Sequence, residues 1–268
     1  MTAFLAIISL ASIGLILGVG LGIAAKKFGV AVDRREEEVL NLLPGANCGA
    51  CALPGCQAYA SAVVSGKAPV NACVAGGNEL SLKLAEIMGA EVEESVPQVA
   101  VVCCRGGNNE VDEKFIYKGI NDCLAASLLQ GGGKKCAYGC LGFGSCVPAC
   151  PFGALKMGEN GLPIVDEVKC TGCGMCVKVC PRDIIQLIPR DQKLYAGCVS
   201  KDRAKDVRKI CSVGCFGCSV CDKVSPDAIK MDGNLPHIYS HDMEKIANAV
   251  EKCPTKVFIV KESVSSPS

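Results

Sequence analysis

Cys170, Cys173, Cys176 and Cys180 stand in the spacing C-x2-C-x2-C-x3-C, with Pro181 after the last. Thiolates this close in sequence cannot each serve a separate partner, but together they can wrap one compact inorganic core. This spacing is the ligand run of a [4Fe–4S] cluster, whose chemistry is one-electron transfer. Thirty residues earlier a variant recurs as Cys136-x3-Cys140-x5-Cys146-x3-Cys150-Pro151. Two such runs predict two clusters with exchanged fourth ligands. One expected set is therefore Cys136, Cys140, Cys146 and Cys180, and the other Cys150, Cys170, Cys173 and Cys176. In the first set the middle position falls on Phe143, and Cys136 is read as supplying the missing thiolate.

An N-terminal group, Cys48-x2-Cys51-x4-Cys56 with Cys73, has the bends that wrapping needs at Pro44-Gly45 and Pro54-Gly55. Helical composition over Asp33–Leu43, Gln57–Ser65 and Asn78–Met88 makes its surroundings a small helical module. Four thiolates also suit tetrahedral zinc, which stays the alternative for this group taken alone.

The fourth group is read from a repeat. Shifting the first ferredoxin-type unit by about 73 to 75 residues lays Ala154–Met157 on Ala228–Met231 and Cys180-Pro181 on Cys253-Pro254. In that register Cys150, Cys170, Cys173 and Cys176 fall on Ser225, Met243, Ile246 and Ala249. All four ligands of one cluster are gone together, replaced largely by residues that fill an apolar core. The ligands of the other survive as Cys215, Cys218, Cys221 and Cys253, with Cys211, which aligns with Cys136, the alternative to Cys218. Four clusters of four iron atoms predict about 16 Fe. Cys103, Cys104, Cys123 and Cys198 are left as packing residues.

The elements positioning these groups follow from the rest of the chain. Ala3 to Ala25 is 23 residues without a charge, roughly 34 Å as a helix and enough for a bilayer core. A secretory signal, the competing reading, would carry basic residues ahead of it. Lys26, Lys27, Arg34 and Arg35 follow the segment, which puts the N-terminus outside and the thiols in the cytoplasm, on the inner face of the cell membrane. Gly14, Gly18 and Gly22 form a smooth face suited to a neighbouring helix. In a reducing compartment spaced cysteines read as metal ligands, not disulfides.

The 268 residues contain 21 Cys, and 28 Lys+Arg balance 27 Asp+Glu. Aromatics make up 4% and there is no Trp, which argues against nucleic acid as a partner. No phosphate-loop or dinucleotide frame occurs, so hydride chemistry lies elsewhere. With only His237 and His241 as imidazoles, thiol or histidine catalysis is not expected.

The expected fold class is α+β: a single N-terminal transmembrane helix, a small helical [4Fe–4S] module and tandem bacterial-type ferredoxin-like units. The divisions are an anchor at 1–26, the helical module at 33–90 and a connecting segment with short strands at 91–133. A two-cluster unit at 134–190, a degenerate one-cluster unit at 191–262 and a disordered tail at 263–268 follow. Gly131–Gly133 is read as a flexible joint.

This order, with Asn47-Cys-Gly-Ala-Cys51, Pro54-Gly-Cys56 and Tyr59-Ala60 in the module, resembles RnfB, the iron–sulfur component of the Rnf electron-transport complex, over nearly the whole chain. The resemblance implies a subunit of a translocase that couples electron flow between ferredoxin and NAD⁺ to Na⁺ or H⁺ movement, with no complete active site on this chain. It implies soluble ferredoxin as donor, and sister subunits in the membrane that carry the flavin and NAD sites. Reduction of a redox-sensing regulator by a related complex, or a zinc scaffold without activity, are the competing readings.

Overall fold

The computed structural model describes residues 2–28, 33–240 and 242–261; His241 and the expected tail at 263–268 lie outside them. Helix α1 (Thr2–Phe28) is charged only in its last turn, at Lys26 and Lys27. It is apolar all round, as a helix surrounded by lipid is. By length and composition its stretch Leu10–Lys27 can cross a membrane.

Helices α2 (Arg34–Leu42), α3 (Cys56–Val64) and α4 (Gly77–Met88) form a small bundle, with a 3₁₀ turn at Val74–Gly76. Asp33 caps α2 by accepting from the Arg35 N–H, and Gly89, left-handed, ends α4. Val39, Leu43, Tyr59, Val63, Leu80 and Leu84 bury the facing sides.

The central lobe holds β1 (Gln98–Val102), α5 (Cys123–Leu128), β2 (Leu155–Met157), β3 (Pro163–Val165), α6 (Met175–Val179) and β4 (Ile185–Pro189). Strand β1 pairs antiparallel with β4, Val99 opposite Ile188, and β2 with β3, Leu155 opposite Val165. Strand β1, inside the segment at 91–133 expected to be a connection with short strands, thus closes a sheet with residues some 85 positions further on. Gly131–Gly133 is no slack joint. Gly131 and Gly132 have φ of +72° and +82°, Gly132 N–H donates to the Leu129 carbonyl (2.9 Å), and Arg182 donates to the Gly131 carbonyl.

The C-terminal lobe repeats the order of outer strand, hairpin, helix and outer strand. Its elements are β5 (Leu194–Ala196), α7 (Ala204–Ile210), α8 (Val220–Val224), β6 (Ile229–Asp232), β7 (Leu235–Ile238), α9 (Met243–Lys252) and β8 (Phe258–Val260). Strand β5 pairs with β8 and β6 with β7, both antiparallel. The two lobes are tied at several points. Arg105 N–H donates to the Gly197 carbonyl (3.1 Å), Ser212 N–H to the Glu110 carbonyl (3.0 Å), and Lys261 Nζ lies 3.2 Å from Glu167 Oε2.

Candidate iron–sulfur centres

In the helical module Cys48, Cys51, Cys56 and Cys73 come together. Asn47, itself at φ +46°, accepts the Cys56 N–H on Oδ1 (2.8 Å) and so clamps the Cys48 loop to the start of α3. Gly55, at φ +114°, leaves room for that contact, since a Cβ there would lie 2.8 Å from Asn47 Oδ1. Tyr59 Oη donates to the Pro69 and Val70 carbonyls (2.9 Å each), which pins the loop that brings Cys73 back. Burial, then the neighbouring thiols Cys48, Cys56 and Cys51, push the Cys73 thiol up.

In the central lobe Cys170, Cys173, Cys176 and Cys150 converge as the spacing requires. Cys173 has Cys48 and Cys150 as electrostatic neighbours, and Cys176 has Cys170 and Cys173. Gly172 and Gly174, at φ +72° and +73°, turn the loop around the thiols, and α6 starts only after it. Ala100 N–H points at Cys170 Sγ (3.4 Å) and Ala154 N–H at Cys150 Sγ (3.3 Å). Such donors favour sulfur carrying negative charge.

The set expected as Cys136, Cys140, Cys146 and Cys180 is not brought together. Cys140, Cys146 and Cys180 line one cavity, with about 370 Å³ of space between atoms, and the fourth thiol on its wall is Cys123. Cys136 lines a different cavity. Position 143 is taken by a ring, Phe143, set edge-on to Tyr117 at 5.1 Å. Cys123 is delivered by the cap of α5. Asp122 accepts from Ala125 N–H and Ser145 Oγ (2.8 Å each), and Ser145 Oγ accepts the Cys123 N–H (2.8 Å). The loop carrying Cys146 and the helix carrying Cys123 are thereby joined. The one sequence signal for Cys123 is the vacancy in the run at Phe143.

In the C-terminal lobe Cys215 has Cys221, Cys253 and Cys218 as neighbours, whereas Cys211 faces Cys136, Cys198 and Cys104. Of the two alternatives it is Cys218 that stands with this set. Val257 N–H points at Cys253 Sγ (3.4 Å), as Ala154 does at Cys150. The positions read as a lost cluster are filled. Ile246 and Ala249 are fully buried, Met243 packs on the same core, and the buried Ser225 Oγ has no hydrogen-bond partner among the described residues.

Burial favours the protonated form of several of these thiols in the bare chain. It pushes Cys140 and Cys176 up to about 12, and Cys146 and Cys215 up to about 11. Only bound metal would displace such protons at neutral pH. Among the described residues no three His, Cys, Asp or Glu side chains are set to hold a single metal ion. A tetrahedral zinc site with bonds near 2.3 Å needs sulfurs within about 3.8 Å of each other. The donor sets are all-thiol and none is drawn in to that spacing, which suits a polynuclear core. Arg182 Nε, buried on the wall of the Cys123 cavity, has no acceptor among the described residues, and an anionic core would provide one.

All-cysteine sets on glycine turns, buried or half-buried except at Cys218, with backbone donors aimed at sulfur, define an iron–sulfur electron-transfer protein. Family comparison agrees: the Fe-S cluster family matches residues 43–75 and the 4Fe-4S dicluster domain residues 135–185. The chain is 42% identical to the B component of the ion-translocating oxidoreductase complex of Methanosarcina acetivorans, over 92% of this chain and 94% of the relative. It is 42% identical to the B component of the Na⁺-translocating ferredoxin:NAD⁺ oxidoreductase complex of Acetobacterium woodii, over 90% and 73%. To the proton-translocating counterpart of Clostridium ljungdahlii it is 43% identical, over 95% and 91%. The chain belongs to the RnfB family, the B components of the Rnf, or ion-translocating oxidoreductase, complexes.

Proposed function

We propose that this chain is the membrane-anchored polyferredoxin subunit that takes electrons from reduced soluble ferredoxin into an ion-translocating ferredoxin:NAD⁺ oxidoreductase. The observation carrying the reading is likeness to relatives named for ion-translocating oxidoreductase complexes along more than 90% of two of them, in a chain that keeps four all-thiol sets. The proposed ligands are Cys48, Cys51, Cys56 and Cys73; Cys150, Cys170, Cys173 and Cys176; Cys140, Cys146 and Cys180, completed by Cys123 in the place expected of Cys136; and Cys215, Cys218, Cys221 and Cys253. The lobes are tandem ferredoxin-like units, the second with a single set of this kind. Bound there, [4Fe–4S] clusters supply one-electron redox chemistry.

The chain's own part is spacing, burial and donation to sulfur. Ala100, Ala154 and Val257 direct N–H groups at ligand sulfurs, and the lobe cores keep water away. Helix α1 is the anchor, with its N-terminus outside and the lobes on the cytoplasmic side of the inner membrane; other subunits carry flavin and NAD. The test is NAD⁺ reduction driven by reduced ferredoxin in membranes with and without this chain. Loss of the activity on deletion is expected, and unchanged activity would overturn the assignment.

A further inference from the structure

Cys104, Cys136, Cys198 and Cys211 line one cavity at the junction of the two lobes, with about 410 Å³ of space between atoms. We propose that these four thiols are the ligands of a fifth iron–sulfur cluster, shared two and two between the lobes. The inference rests on the iron–sulfur reading of the chain and adds a site to it.

The first support is proximity. A Cβ added at Gly139 would lie 3.3 Å from Cys136 Sγ and 3.9 Å from Cys104 Sγ. One added at Gly106 would lie 3.4 Å from Cys211 Sγ and 3.9 Å from Cys104 Sγ. Cys198 completes the ring, as a neighbour of both Cys104 and Cys211. Glycine at these positions is what lets the sulfurs face a common space.

The second support is internal symmetry. Cys-x2-Gly-Cys occurs as Cys136-Ala-Tyr-Gly139-Cys140 and as Cys211-Ser-Val-Gly214-Cys215. In each, the leading cysteine turns to the junction while the trailing one belongs to its own lobe's set. Cys104 and Cys198 are matched too, each shortly after the first strand of its lobe, β1 or β5. Cys140 N–H points at Cys104 Sγ (3.4 Å), and its repeat counterpart, the Cys215 N–H, points at Cys198 Sγ. Two packing residues, Cys104 and Cys198, would have no reason to keep matched backbone donors on sulfur. Cys103, the residue directly after β1, also borders this cavity, but it is packed into the central-lobe core. It has no counterpart in the C-terminal lobe, where Gly197 precedes Cys198.

Charge is the third support. Lys134 is 5% exposed, and its Nζ reaches the Gly106 carbonyl (3.4 Å) on the cavity wall, with no carboxylate partner among the described residues. A buried ammonium is costly unless paired. A core carrying four thiolates is the anion that would pair it.

Iron and acid-labile sulfide in the full chain, purified anaerobically in detergent, test the proposal. Five clusters predict about 20 Fe and as much sulfide, where four predict about 16. Cys198→Ala and Cys211→Ala should each bring the count to about 16, while Cys103→Ala keeps it at about 20. The native count decides even if a variant fails to fold. About 16 Fe in the native chain, unchanged by Cys198→Ala, would overturn this site and leave the function standing. So would about 16 Fe with one zinc that Cys198→Ala removes. A chain without iron would overturn the proposed function itself.

Discussion

The central and C-terminal lobes share strand order and Cys-Pro turns, yet they part at one stretch. Around Cys170, Cys173 and Cys176 the central lobe runs as a loop turned by Gly172 and Gly174, and only then forms the short α6. The matching stretch of the C-terminal lobe is the continuous helix α9, capped by Asp242, with Ile246 and Ala249 in the core. Where ligands are required, the backbone gives up helical hydrogen bonds and left-handed glycines turn the sulfurs inward. Where they are gone, Lys245 and Ala247 stand in place of the glycines and the chain takes the helix its sequence prefers. A ligand set is therefore more than its cysteines, because the backbone path between them is part of the site.

The largest test grafts one lobe onto the other. Ser225→Cys, Met243→Cys, Ile246→Cys and Ala249→Cys together with Lys245→Gly and Ala247→Gly should add about four Fe per chain. The four cysteines without the glycines should add none, since α9 would persist. Equal iron in both variants would break the comparison. A smaller effect is expected from Ile246→Ala, which opens a cavity at the position of a lost ligand, in the core that also carries Cys215, Cys221 and Cys253. Local opening of α9 and β8, read by hydrogen exchange, should become easier by about 2–5 kcal/mol with the iron count unchanged. Smaller again, Asp122→Ala removes the cap of α5 and the tie to Ser145. A loss of about 1 kcal/mol is expected, with faster chelator extraction from the Cys123 set and not from the Cys215 set. Equal extraction from the two would deny Cys123 its place.

Much of this is legible from spacing. The thiols grouped by the Cys48 and Cys170 spacings stand near one another, and Ser225, Met243, Ile246 and Ala249, read as losses, are buried or core-packed. Regular spacing also favours Cys218 over Cys211, and Cys218 stands with Cys215, Cys221 and Cys253. Cys123, Cys104 and Cys198 escape because nothing local marks them. Cys123 reaches its set through the Asp122–Ser145 contact, and Cys104 reaches the junction because β1 pairs with a strand far along the chain. Counting along its own run groups Cys136 with Cys140 and Cys146, whereas its thiol lines the cavity between the lobes. Strand β1 itself is foreseeable from its β-branched residues, but its partner β4 is not, since composition carries no register.

Arg105, the residue after Cys104, lays its main chain against Gly197 and sends its guanidinium to the carbonyls of Thr255 and Lys256, just past Cys253-Pro254. With the Lys261–Glu167 pair, this braces the lobes against hinge motion. Tunnelling between redox centres falls steeply with their separation. Redox centres held in braced lobes would keep a static gap, so solvent viscosity, which slows proteins that must swing a domain to deliver an electron, should have little hold on transfer between them.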